Sequence, residues 1–119
     1  MRDHSELTLR KQSDFARVYK QGKSKGSRFA VILYRRNGLK ITRTAFVSSK
    51  KVGNSVERNR SRRLMKAAYR AFEPDIKSGY DIVFVARAAI KGCKEPEVER
   101  QLKKTLESAG ILTGSSNEK

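Results

Sequence analysis

The segment at residues 50–70 constrains this 119-residue chain more than any other, because it combines dense positive charge with a helical pattern. It holds eight cations and a single acid, Glu57, and so carries a net charge of +7. A Gly-Asn-Ser turn at residues 53–55 opens the helix, and Asn54 or Ser55 can cap it. A rigid element with this much fixed charge suits a fixed array of anions.

The predicted helix is amphipathic. On a helical wheel with Val56 at zero, an apolar half spans about 20° to 180° and a basic half about 200° to 340°. The apolar half holds Leu64, Met65, Ala67, Ala68, Ala71 and Phe72. The basic half holds Arg58, Asn59, Arg62, Arg63, Lys66, Tyr69 and Arg70. Arg60 projects into the apolar half, and we expect it at the edge of the core rather than buried, since an unpaired buried guanidinium is costly.

The charge pattern favours a nucleic-acid partner. Like-charge pairs one turn apart, such as Arg62–Lys66, destabilise an isolated helix, so an anionic partner is expected to compensate. The whole chain has a net charge of +16 and a pI near 10.5. An anionic membrane surface is the second candidate, but the longest apolar run, residues 29–34, is too short to span a bilayer. Three rivals share the basic helix: a double-stranded RNA-binding or ribosomal protein, a DNA-binding regulator and a basic adaptor for an acidic protein.

The remaining pattern predicts an α+β domain. Helices are expected at residues 13–21, with Ser13 as N-cap and Gly22 just beyond the end, and at residues 97–109. Strands are expected at residues 28–36, 43–49 and 80–86, and a short extended piece at residues 7–9. This order suggests helices on one side of a small mixed sheet. We expect a single domain over residues 1–112 and a disordered tail over residues 113–119.

A protein without catalytic residues of its own is expected. The single histidine, His4, lies near the terminus, and the single cysteine, Cys93, has no nearby partner in the sequence. The twelve acids are scattered, whereas a metal nuclease needs several convergent carboxylates. No secretory signal is visible at the N-terminus, and the lone cysteine agrees with a cytoplasmic location.

The basic segment also resembles a known signature. The run Lys50-Lys51-x-Gly53-Asn54-x-Val56-x-Arg58-Asn59-Arg60-x-Arg62-Arg63-Leu64 is similar to the Arg-Asn-Arg motif of the bacterial ribonuclease P protein family. Asp14-Phe15 with Tyr19, the Asn37-Gly38 turn and the strand from Tyr80 fall at matching spacings. The resemblance implies a two-layer αβββαβα sandwich with a left-handed βαβ crossover, as in a ribosomal protein domain. Three of its four strands can be placed from the pattern.

The resemblance further implies a role in transfer RNA processing. The family forms a ribonucleoprotein, an endoribonuclease that removes the 5′ leader of precursor tRNA, with catalysis by its RNA subunit and Mg²⁺. No tightly held metal, membrane contact or obligate protein partner is expected for the protein itself. The residues implied to bind the catalytic RNA are Arg58, Asn59, Arg60, Arg62, Arg63, Lys66 and Arg70. The leader is expected in a cleft between the first helix and the sheet, with a place in the core as the alternative for Phe29. The residues expected to bind the precursor leader are Phe15, Tyr19, Phe29, Ala30, Ile32, Ser49, Lys50 and Lys51.

Overall fold

The computed structural model describes residues 8–112, which form three helices and one four-stranded sheet. In chain order these are α1 (Gln12–Gln21), β1 (Lys23–Gly26), β2 (Ala30–Arg36), β3 (Arg43–Ser48), α2 (Ser55–Arg70), β4 (Tyr80–Ala86) and α3 (Glu95–Ala109). The predicted αβββαβα order is therefore confirmed. The predicted N-terminal extended piece is confirmed where Thr8 bridges Thr44. Leu7, His4 and the predicted tail at residues 113–119 lie outside the described residues.

The sheet is mixed, as predicted, and its strand order is β1-β2-β4-β3. The β1–β2 and β2–β4 pairs are antiparallel, whereas β3 and β4 run parallel and are joined through α2. The left-handed sense of that crossover stays an expectation from the resemblance. The strand that the pattern did not reveal is β1, whose sequence Lys-Ser-Lys-Gly is exposed throughout and shows no apolar alternation.

The main core lies between one face of the sheet and the helices α2 and α3. Phe84 on the central strand β4 is fully buried there, stacked on Phe46 with ring centroids 4.8 Å apart. From β2, the alternate residues Ala30, Ile32 and Tyr34 point into this core. From α3, the buried residues Val98, Leu102, Thr105 and Leu106 lie on one face of the helix.

The first helix packs on the opposite face of the sheet. Val18 of α1 is fully buried against Leu9, Ala45 and Val83, in a second and smaller apolar cluster. The expectation that all helices share one side of the sheet is therefore wrong for α1. The sheet is apolar on both faces, so it needs a cover on each, and α1 supplies the second one.

Both ends of α1 differ from their predicted form. The helix begins at Gln12 after Lys11, so Ser13 lies inside the first turn and is not the N-cap. Gly22 follows the helix as predicted but is extended, with φ of −80°, instead of left-handed. Within residues 8–112, no helix has the length and apolar content needed to cross a bilayer.

Gly22 is required for space rather than for backbone freedom. A Cβ at this position would lie 2.5 Å from the carbonyl oxygen of Val18 and 2.7 Å from that of Tyr34. Both are backbone atoms, so Gly22→Ala is expected to lower the free energy of unfolding by about 1–3 kcal/mol. Urea denaturation measures this loss. Gly26→Ala is the matched control, since its Cβ would approach only the Arg87 side chain, at 3.5 Å. Equal midpoints for the two variants would contradict the steric argument.

Candidate nucleic-acid interface

The start of α2 is fixed by a capping box. Asn54 is the N-cap: its side chain accepts from the Glu57 N–H, and its own N–H donates to Glu57 Oε1, both at 2.9 Å. The hydrogen bond from Asn54 N–H lowers the pKa of the Glu57 carboxyl, and Lys91, 3.6 Å away, adds to the effect. The ionised Glu57 carboxyl therefore stabilises the folded state at neutral pH, and this stabilisation is lost as the pH falls through the lowered pKa. The one acid of the segment serves the cap.

The basic face of α2 consists of Arg58, Asn59, Arg62, Arg63, Lys66 and Arg70, all exposed or half-buried. Arg58 Nη1 donates to the carbonyl of Gly53 at 2.9 Å, and Arg62 donates to Oδ1 of Asn59. Neither bond neutralises a cation, because both acceptors are uncharged. The face therefore presents its positive charge to solvent, which favours an anionic partner.

Arg60 lies apart from this basic face. It is exposed, and its Nη2 donates to the carbonyl of Cys93 at 2.9 Å, on the side of α2 that faces α3. The expectation that it lies at the core edge is confirmed. Its predicted contact with RNA thus belongs to a different side of the helix from Arg62 and Lys66.

The buried side of α2 is rotated from the predicted one. Tyr69, assigned to the basic half, is buried and packs edge-to-face on Phe46, Phe72 and Phe84, and this burial raises its pKa. Conversely, Val56 is 72% exposed, and Ala67 and Ala71 are also exposed. A buried hydrogen bond of 2.8 Å from Ser61 to Ser48 joins α2 to β3. The predicted apolar half included the small residues Ala67 and Ala71 and left out Tyr69, whose large ring buries more apolar surface despite its polar end.

The predicted leader-binding residues separate onto two faces of the sheet. Phe15 and Tyr19 lie on α1, with ring centroids 6.4 Å apart, and Tyr19 is 51% exposed. Phe29, Ala30 and Ile32 are buried in the core beneath α2 and α3, so the prediction that they line a cleft beside α1 is wrong. Strand alternation explains the error, since β2 is apolar on both faces and its pattern does not show which face meets α1.

The residues of the sheet that lie beside α1 were missed by the sequence reasoning. Leu33, Val47 and Val85 are only partly buried and pack on the cluster around Val18. The signal that could have found them is their position one residue away from the buried series on each strand. Ser49, Lys50 and Lys51 are exposed in the turn that follows β3, as their predicted role requires.

An ion network anchors α1 to the sheet. Arg43 at the start of β3 donates to both carboxylate oxygens of Asp81, at 2.9 and 2.8 Å, and to Asp14 of α1 at 3.3 Å. Asn37 also donates to Asp81, at 2.9 Å. The hydrogen bonds to Asp81 are the main cause of the raised pKa of Arg43. The network thus positions the helix that carries Phe15 and Tyr19.

The acids of the described chain do not converge on a metal site. Between residues 8 and 112, no group of three or more His, Cys, Asp or Glu side chains is arranged to hold a metal ion. Asp14 and Asp81, the buried carboxylates, are both engaged with Arg43.

An acid-poor cationic helix on one side of a sheet, with an aromatic pair on the other, is typical of α+β proteins that bind polyanions. Residues 4–110 match the family Ribonuclease P. The chain is 42% identical over 101 residues to the ribonuclease P protein component of Caldanaerobacter subterraneus, covering 82% of this chain and 87% of that protein. It is 41% identical over 104 residues to the component of Clostridioides difficile, covering 87% and 91%. The chain belongs to the bacterial ribonuclease P protein family.

Solved structures agree with the fold. An RNase P protein mutant of Staphylococcus aureus, whose mRNA degradation activity is defective, superposes with a TM-score of 0.84 at 28% identity, covering 92% of both chains. The RNase P protein of Thermotoga maritima gives a TM-score of 0.77 at 28% identity, covering 90% of this chain and 98% of that one. The αβββαβα arrangement is therefore shared with these proteins.

Proposed function

We propose that this protein is the protein subunit of ribonuclease P and that it promotes removal of the 5′ leader from precursor tRNA. It binds the catalytic RNA subunit through the basic face of α2, and the RNA performs the Mg²⁺-dependent cleavage in the cytoplasm. The observation that carries the proposal is that basic face, whose segment contains a single acid already committed to the helix cap. Guanidinium groups on a rigid helix suit bidentate contacts with backbone phosphates.

The leader is assigned to the α1 side of the sheet. Tyr19 and Phe15 offer aromatic faces there, next to the half-buried apolar residues Leu33, Val47 and Val85. Unpaired bases stack on such surfaces with little sequence preference, which suits leaders of different sequence. Lys50 and Lys51, exposed after β3, supply positive charge for the leader phosphates.

The direct test combines the protein, a bacterial ribonuclease P RNA and a precursor tRNA at a Mg²⁺ concentration too low for the RNA alone. Cleavage at the mature 5′ end that requires both protein and RNA is the expected result. A matched reaction with an unrelated basic protein of similar net charge separates specific activation from general charge screening. Failure to activate cleavage under conditions where the protein is folded would overturn the proposed function.

Tyr19→Ala is expected to weaken binding of precursor tRNA to the holoenzyme by roughly 10–100-fold, because a base–aromatic stack contributes about 1–3 kcal/mol. Binding of mature tRNA, which lacks the leader, is expected to change little. Equilibrium binding of both RNAs in Ca²⁺ measures the difference. Leu39→Ala is the control, since Leu39 is an equally exposed apolar residue in the turn between β2 and β3. Equal losses of affinity for precursor and mature tRNA would contradict the assignment of the leader to α1.

A further inference from the structure

A pocket of about 400 Å³ lies between the edge strand β3 and the basic face of α2. We call it the β3–α2 pocket. Its volume falls in the range of small-molecule binding sites. The residues that line it are Thr8, Thr44, Ala45, Phe46, Asn59, Arg62, Arg63 and Lys66. Three of these side chains are cationic and none is acidic, so the pocket concentrates positive charge in a concave site.

The helix wall of the pocket suits a phosphate and a polar base edge together. Arg62, Arg63 and Lys66 bring like charges to one cavity, an arrangement that an anion stabilises. Oδ1 of Asn59 accepts from Arg62, which leaves the amide nitrogen of Asn59 to donate elsewhere. The amide of Asn59 can therefore donate to the base of a nucleotide while the three neighbouring cations bind its phosphate.

The strand wall offers backbone hydrogen-bonding groups. The carbonyl of Thr44 accepts from the N–H of Leu9 at 2.9 Å, so this residue directs its backbone away from β4. Alternation along a strand then directs the N–H and C=O of Phe46 to the same outer edge. The ring of Phe46 is held in place by stacking on Phe84. This wall thus presents a fixed donor, a fixed acceptor and an aromatic surface.

We propose that the β3–α2 pocket receives one unpaired nucleotide of the partner RNA. Its phosphate lies against Arg62 and Lys66, and its base lies against the edge of β3 at Phe46. The inference rests on the proposed function, because it concerns the same RNA-binding side of the protein. It goes further in assigning β3 residues to the site and in requiring a splayed-out base. A base within a duplex pairs through its edge and cannot enter the pocket.

The first test uses uridine 5′-monophosphate and inorganic phosphate as separate probes of the isolated protein, followed by NMR. The expected result is that the nucleotide shifts the backbone amide signals of Phe46 and Ala45 and the side-chain amide of Asn59, whereas phosphate shifts mainly the signals of α2. Equal shifts from both probes would reduce the pocket to an anion site and overturn the proposal. This measurement needs no substitution and so does not depend on the folding of a variant.

The second test fills the pocket without removing a cation. Thr44→Phe is expected to weaken binding of an unstructured RNA decamer by roughly tenfold, the scale of one lost base contact, and binding of an RNA duplex by less than twofold. Val56→Phe adds the same ring to the exposed start of α2, outside the pocket, and serves as control. Equal effects of Thr44→Phe on single-stranded and duplex RNA would contradict the proposal. If the wild-type protein activates leader cleavage while Thr44→Phe binds the decamer normally, only this inference fails.

Discussion

Replacing Arg62 and Lys66 together by alanine is expected to weaken binding to ribonuclease P RNA by roughly 100-fold, or about 3 kcal/mol, because each charged hydrogen bond contributes about 1.5 kcal/mol or more. Both residues lie on the basic face of α2, away from the core. The loss of two phosphate contacts should also reduce the slope of log K against log salt concentration by about 1.5. Fluorescence anisotropy across a KCl series measures both quantities.

The fold is expected to survive this double substitution. The two cations are one turn apart, so their removal relieves a like-charge repulsion and leaves the melting temperature unchanged or slightly raised. Lys103→Ala combined with Lys104→Ala removes the same charge from exposed positions of α3 and is the matched control. An identical salt slope for the two double variants would show that net charge, and not the basic face of α2, governs binding.

Arg43→Met is expected to lower the free energy of unfolding by about 3–5 kcal/mol, because it leaves the buried carboxylate of Asp81 without its charge partner, whereas Asp14 keeps its ion pair with Arg17. Asp81 is 1% exposed, and Asp14 is also buried. A loss of that size is a large part of the total stability of a small domain, which is about 5–15 kcal/mol. Urea denaturation with a circular-dichroism readout measures it. Arg36→Met, at an exposed arginine of β2 that donates to Tyr80 and lies over its ring, is the control and should cost about 1 kcal/mol or less.

The origin of this loss can be isolated with a second substitution. Adding Asp81→Asn to Arg43→Met removes the buried negative charge that Arg43→Met leaves unpaired. The double variant should therefore recover part of the lost stability. The single variant should also weaken precursor binding more than mature tRNA binding, because α1 loses its ionic link to β3 and keeps only its apolar packing on the sheet. A double variant no more stable than Arg43→Met would place the loss in packing rather than in the unpaired carboxylate.

Local signals in the sequence were sufficient for most elements of the fold. Strands β3 and β4 have short apolar runs bounded by turn residues, and α2 and α3 have caps and a stripe with helical spacing. Each of these is a property of neighbouring residues. Strand β1 has no such signal. It pairs with residues 31–34 through backbone hydrogen bonds, and its side chains show no apolar alternation from which that pairing could be predicted.

Which face of an element is buried was harder to predict, because tertiary packing decides it. On β2, Ile32 and Leu33 are equally apolar, yet Ile32 lies in the main core and Leu33 lies beside α1. On α2, Tyr69 has a polar end but its ring fills a gap among Phe46, Phe72 and Phe84. The pocket beside Phe46 joins residues far apart in sequence. The periodicity of β3 and that of α2 do not show that residues of the two elements lie together.

Strand β3 serves both proposed RNA surfaces with alternate side chains. Thr44, Phe46 and Ser48 pair with β4 residues of the main core, whereas Ala45 and Val47 pack on the α1 side. Neighbouring residues of β3 therefore point to opposite faces of the sheet, one assigned to the catalytic RNA and the other assigned to its substrate. Insertion or deletion of one residue within this strand would exchange the two sets, so natural length variation is expected in the flanking turns and not within these six positions.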